Sequence, residues 1–218
     1  MTGLVSTFAA IAFAPACARA ADASPLAQAA ALAAEAAAGQ KTTVVGTDGW
    51  MYFAPELRHL GVGRFWGDAA ESVSRATKPE FADPLPAIVD FNRQLEGAGI
   101  ALILVPVPPK AVIYPEHLFA NFDEESVAGG RIDEVHQVFY ELLREQGVEV
   151  LDLVPAFLEA KETTQMFCKQ DTHWSGQACV EVARIVKERL TEVPWFAAHP
   201  KSEYASEMAG VEITGDLW

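Results

Sequence analysis

Apolar positions along this chain fall into two periods. Residues 84–97 carry Ile88, Phe91 and Leu95 at helical spacing and stop at Gly97 and Gly99, which predicts an amphipathic helix. Residues 100–105 then contain no polar side chain, and Pro106, Pro108 and Pro109 follow at once. An unbroken apolar run after a helix predicts a parallel strand covered on both faces. Residues 131–146 return to the helical period through Ile132, Val135, Phe139, Leu142 and Leu143 and close at Gly147. Residues 148–153 predict the next strand. Residues 176–190 predict another helix, with Cys179, Val182, Ala183, Val186 and Leu190 on one face. Helix, strand, helix, strand, helix is the order of a doubly wound α/β layer. Such sheets carry their working groups outside the carboxyl ends of the strands. Here those ends hold residues 106–110, Asp152 and the segment 169–175.

The amino-terminal part reads differently. Residues 1–20 form a secretory signal pattern, with an apolar run too short to span a bilayer. Small residues at Ala18 and Ala20 point to cleavage before Ala21. Residues 21–40 predict an Ala-rich arm or helix that stops at Gly39 and, lacking bulky side chains, lies at the periphery. Val44 and Val45, the turn Gly46-Thr47-Asp48-Gly49 and the run Trp50-Met51-Tyr52-Phe53 predict two short strands around a Gly-rich turn. One domain is then expected over 41–218.

Composition narrows the partners. The 218 residues include 30 acidic and 16 basic side chains, a net charge of −14. No nucleic acid partner is expected, because phosphate neutralisation needs a clustered basic face. Losing residues 1–20 removes Arg19 and no acid. It also removes Cys17 and leaves Cys168 and Cys179, an even pair in a compartment that permits oxidation. They form either a disulfide, worth roughly 3 kcal/mol for a loop of about a dozen residues, or two buried thiols.

The chemistry concentrates in Lys169-Gln170-Asp171-Thr172-His173-Trp174-Ser175, just before a helix. Positions 171 and 173 of an extended segment project to one side. A carboxylate there fixes the imidazole tautomer through Nδ1 and leaves Nε2 as a base, with Trp174 packed beside the pair. The same spacing also serves as half of a metal site or as a structural pair. No third ligand stands nearby in sequence, and no metal or other cofactor is expected. Ser175 stands where a helix N-cap is needed, not a nucleophile. His136 lies within a helix pattern and reads as structural.

Three groups of residues together carry a resemblance: Gly46-Thr47-Asp48-Gly49-Trp50, then Val105-Pro106 with Pro109-Lys110 and Tyr114-Pro115-Glu116, then Asp171-Thr172-His173-Trp174-Ser175. In this order the chain resembles the AlgX/AlgJ-type alginate O-acetyltransferases, an SGNH-hydrolase-like family of the bacterial periplasm, from about residue 41 onward. The resemblance implies a three-layer α/β/α fold with a mostly parallel sheet and a Ser-His-Asp enzyme that acetylates an exported anionic polysaccharide such as alginate. Asp171 would orient the base and His173 would be the base. The family's serine lies further downstream than any match here, so the sheet is expected to be incomplete at the C-terminus. Lys110 and Tyr114, with Trp174, are candidate substrate contacts. The acetyl donor is not indicated. A non-catalytic polymer-binding or scaffold role among exopolysaccharide-assembly proteins is the alternative.

Overall fold

In this computed structural model the described residues are 23–123, 127, 130–205, 207 and 209–218. The expected signal peptide lies outside them. Helix α1 (Pro25–Ala38) starts at Ser24, whose hydroxyl accepts from the Ala27 N–H at 3.3 Å. It is not peripheral, as its small side chains suggested. Ala29, Ala33 and Ala36 are buried against helix α2 (Ala54–Gly61). Small side chains are what permit this: a methyl group placed on Gly61 would lie 2.6 Å from the Ala30 nitrogen.

Strands β1 (Thr43–Val45) and β2 (Met51–Phe53) form the expected antiparallel hairpin, with Val44 opposite Tyr52. Alternation turns the middle residue of each strand inward. Helix α2 follows without a loop and buries Leu57 and Leu60. After the short helix α3 (Ala70–Val73), helix α4 (Pro84–Gly97) begins at Asp83, whose Oδ1 accepts from the Leu85 N–H at 3.0 Å. Its buried face is Val89 and Asn92, while Phe91 points to solvent. Asn92 holds that rotation by donating to the Gly147 carbonyl at 3.3 Å.

The parallel sheet is much shorter than the apolar runs predicted. Among the described residues it consists of β3 (Ile103–Leu104) beside β4 (Glu149–Val150). Neither strand has a second sheet neighbour there, and Ile100, just before β3, is exposed. Helix α5 (Lys110–Ile113) is wholly buried, and α6 (Glu134–Glu145) packs beside β4. Helix α7 (Val154–Ala160) opens at Asp152, whose carboxylate accepts from the Val154 N–H at 3.0 Å. Arg131 clamps that Asp152 and the fully buried Asp133 carboxylate together. Helix α8 (Gly176–Thr191) turns Ala178, Val182 and Ile185 inward rather than Cys179, and α9 (Pro194–Ala198) follows. No helix among the described residues is long and apolar enough to cross a membrane.

Two apolar cores result. The larger joins α1, α2, α5 and α7 through Leu57, Ile113 and Phe157; the smaller lies under α4 and α6 around Phe139, Leu143 and Val148. Leu57 is fully buried in the first. Leu57→Ala should therefore cost about 2–5 kcal/mol, transfer and cavity together; a urea midpoint unchanged from the parent would contradict this packing.

Candidate active site

The segment 166–175 doubles back on itself. The Cys168 N–H donates to the His173 carbonyl at 3.2 Å, and the Ser175 N–H to the Met166 carbonyl at 3.0 Å. Asp171, Thr172 and His173 thereby occupy the tip of a tight loop. Ser175 is the α8 N-cap: its hydroxyl accepts from the Ala178 N–H at 3.1 Å and donates to the Gln165 carbonyl at 2.5 Å. Its proton and one lone pair are engaged away from the imidazole.

At the tip, Asp171 Oδ1 lies 2.6 Å from His173 Nδ1 and accepts the His173 backbone N–H at 2.9 Å. The acid is buried, with 8% of its surface exposed, whereas the imidazole side chain is 79% exposed. Burial alone would raise the Asp171 carboxyl. Hydrogen bonds from the His173 backbone and ring and from the Asp216 backbone outweigh it and hold the group below the usual carboxylate range. The hydrogen bond and charge of Asp171, helped by Asp216, raise His173 above its ordinary value. Trp174 does not shelter the ring as expected. It packs edge-on to Phe157 at 5.6 Å, and its buried Nε1–H has no partner among the described residues. The imidazole stands at an open surface.

Asp216 is the member that local sequence could not reveal. It comes from 45 residues beyond Asp171, and its N–H donates to Asp171 Oδ2 at 3.2 Å. Its carboxylate accepts from the Thr172 N–H at 2.7 Å and the Thr172 hydroxyl at 2.6 Å, and lies 3.7 Å from His173 Nδ1. Gly215 makes the approach possible, since a Cβ there would meet the Gln170 carbonyl oxygen at 1.9 Å. Asp171, His173 and Asp216 offer ligand atoms within 4.8 Å of one another, so they form the donor set a metal would use. The atoms facing each other are hydrogen-bonded among themselves and to Thr172, a pattern that suits an oriented base.

Lys110 is not placed to meet a sugar. Its side chain is buried, and Nζ donates to the carbonyls of Met51 at 2.9 Å, Lys169 at 3.1 Å and Asp171 at 2.8 Å. Burial, partly opposed by Glu56, lowers the ammonium to about 8. Tyr114 is not at a rim either. Its hydroxyl accepts from the buried Met166 N–H at 2.9 Å, and its carbonyl accepts from the Tyr52 hydroxyl at 2.6 Å. The basic side chain that does reach solvent here is Lys169, 5.6 Å over the Trp50 ring. Beside the loop lies a largely apolar cleft of about 840 Å³, lined by Trp174, Cys168, Met166, Val180 and Ile213 among others. The expected Cys168–Cys179 bridge is not formed: both are free thiols, Cys168 turned toward the Trp174 carbonyl and Cys179 exposed on α8.

The family described as "SGNH hydrolase-like domain, acetyltransferase AlgX" matches residues 43–218. The "Probable alginate O-acetylase AlgJ" of Pseudomonas aeruginosa is 27% identical over 154 residues, which is 71% of this chain and 34% of that protein. The "Alginate biosynthesis protein AlgX" of the same organism is 30% identical over 122 residues, 54% of this chain and 24% of that protein. The chain thus spans roughly a third or less of the length of these two relatives. The O-acetyltransferase domain of Pseudomonas putida AlgJ superposes with a TM-score of 0.57 at 23% identity, covering 80% of this chain and 56% of that one. This likeness is one of fold.

Two measurements test the geometry. Because folding raises the imidazole above 6.5, the pair stabilises fully below that pH and its contribution fades as pH rises through the folded value. An NMR titration should find the His173 midpoint above 6.5 and should find it lowered in Asp171→Asn; equal midpoints would break the pairing. Lys110→Met keeps the stem and leaves three carbonyls without their donor, which should cost about 3 kcal/mol by chemical denaturation.

Proposed function

The chain belongs to the SGNH hydrolase-like domain family of acetyltransferase AlgX, and on that premise we propose that it acts in periplasmic O-acetylation of an exported polysaccharide such as alginate. The observation that carries this reading is the Asp171–His173 contact of 2.6 Å beneath an imidazole open to solvent. In the proposed reaction Asp171 holds the His173 tautomer and stabilises the imidazolium. His173 Nε2 takes the proton of a serine hydroxyl as that oxygen attacks the acetyl carbonyl of the donor. The imidazolium returns the proton to the departing donor group, leaving an acetyl-serine. A sugar hydroxyl then loses its proton to His173 and attacks the ester, and the serine oxygen recovers that proton as it leaves. Among the described residues no serine hydroxyl hydrogen-bonds His173, so the proposal assigns the nucleophile to a residue outside them.

An elevated imidazole basicity suits the first proton transfer. An acidic protein taking an acidic polymer needs local positive charge, and exposed Lys169 and the protonated fraction of His173 supply some at the loop, beside the carboxylates of Asp171 and Asp216. Trp174 supports sugar binding through the cleft it lines. Lys110 and Tyr114 act one step removed, as positioning residues beneath the loop.

Acetyl transfer to a mannuronate oligomer, followed by mass spectrometry with the full-length protein, should fall on the order of 10³-fold in His173→Ala. Undiminished transfer would sink the assignment. Polymer retention without turnover in the parent would point to a scaffold.

A further inference from the structure

A second cleft, of about 410 Å³, opens where the chain leaves β3 at Leu104, Pro106 and Val107. It shares no lining residue with the cleft beside Trp174. Helix α6 turns His136, Phe139 and Tyr140 to it, three and four positions apart on one face, and α2 contributes Glu56 and His59. Open α/β sheets carry ligands outside the carboxyl ends of their strands, and this is such a place.

His136 makes the cleft unusual. It is 6% exposed, and both ring nitrogens are buried with no hydrogen-bond partner among the described residues. A neutral imidazole has one donor and one acceptor, and buried polar atoms are almost always satisfied. Burial, with His59 adding to it, pushes His136 down to about 4, so the ring is uncharged near neutral pH. Burial, opposed by Lys110, pushes Glu56 up to about 7. An ion entering here would lose its hydration without meeting a settled countercharge. Phe65 packs its ring against those of His59 at 4.7 Å, His136 at 5.4 Å and Phe139 at 4.8 Å, which gives the cleft an aromatic wall. The two imidazoles and Glu56 do not converge as a three-ligand metal group.

We propose that this cleft binds a small uncharged ligand with a flat aromatic body and one hydrogen-bonding edge, that edge pairing with one ring nitrogen of His136. His59, exposed and edge-on to His136 at 5.1 Å between centroids, turns aside to admit it. The site is independent of the acyl-transfer reading.

Benzamide, benzoate and toluene share the ring and differ at the edge. Each is titrated into the full chain while long-range proton–nitrogen spectra read the His136 ring. Benzamide should shift a His136 ring nitrogen saturably and bind about tenfold tighter than benzoate or toluene, the worth of one buried hydrogen bond. His136→Phe should reduce benzamide to the affinity of toluene, and His136→Asn, which keeps a donor and an acceptor, should retain the preference should the Phe variant fail to fold. The proposal is overturned by an absent benzamide shift, by equal binding of benzoate, by a preference that survives His136→Phe or is lost in His136→Asn, or by saturation of the ring with Zn²⁺ instead.

Discussion

The ammonium of Lys110 lies among the carbonyls of Met51, Lys169 and Asp171, 5.5 Å from the Trp50 ring centroid and 5.7 Å from that of Tyr52. A buried cation with three carbonyls and two aromatic faces keeps enough interaction to offset much of its lost hydration. In doing so it ties the start of α5 to strand β2 and to the loop that ends in His173. The carboxylate of Asp171 is aimed because its own backbone carbonyl is held from beneath. Remove that anchor and the acid and the base lose a common frame.

The loop tip then divides its two groups between environments. Asp171 is buried and receives N–H donors from His173 and Asp216, so it stays ionised. His173 stands outside and gains basicity from that fixed charge. Holding the acid inside and the base outside gives a proton acceptor that is oriented but accessible, as the proposed acyl transfer to a large polymer would require. Asp216 joins the two through Thr172. The chain near Trp218 is thereby part of the site's architecture, held close by the bare backbone of Gly215.

Arg131 and Lys110, two cations largely withdrawn from solvent, follow one rule. Arg131 is forked between Asp133 and Asp152 just beyond β4, and Lys110 is held by carbonyls at the start of β2 and in the loop that ends in His173. Each meets three acceptor atoms, whereas the buried His136 nitrogens have no hydrogen-bond partner among the described residues.

Local pattern was enough for the helices over 84–97, 131–146 and 176–190, for the hairpin around Gly46 and Gly49, for Ser175 as an N-cap and for the pairing of Asp171 with His173, but not for α2, α3, α5 or α7. Those it captured depend on neighbours a few residues apart. It misjudged the face of α4, where Asn92 is pinned to Gly147, the burial of α1, where small residues permit contact with α2, and the length of the parallel strands. Lys110 read as a cation for a sugar because lysines are seldom buried; its three carbonyl partners lie about 60 residues away. Asp216 and the meeting of His59 with His136 were likewise invisible. Spacing along a chain reports periodicity and local geometry, but which groups share a volume, and whether a charge there has lost its water, is decided only when distant segments pack.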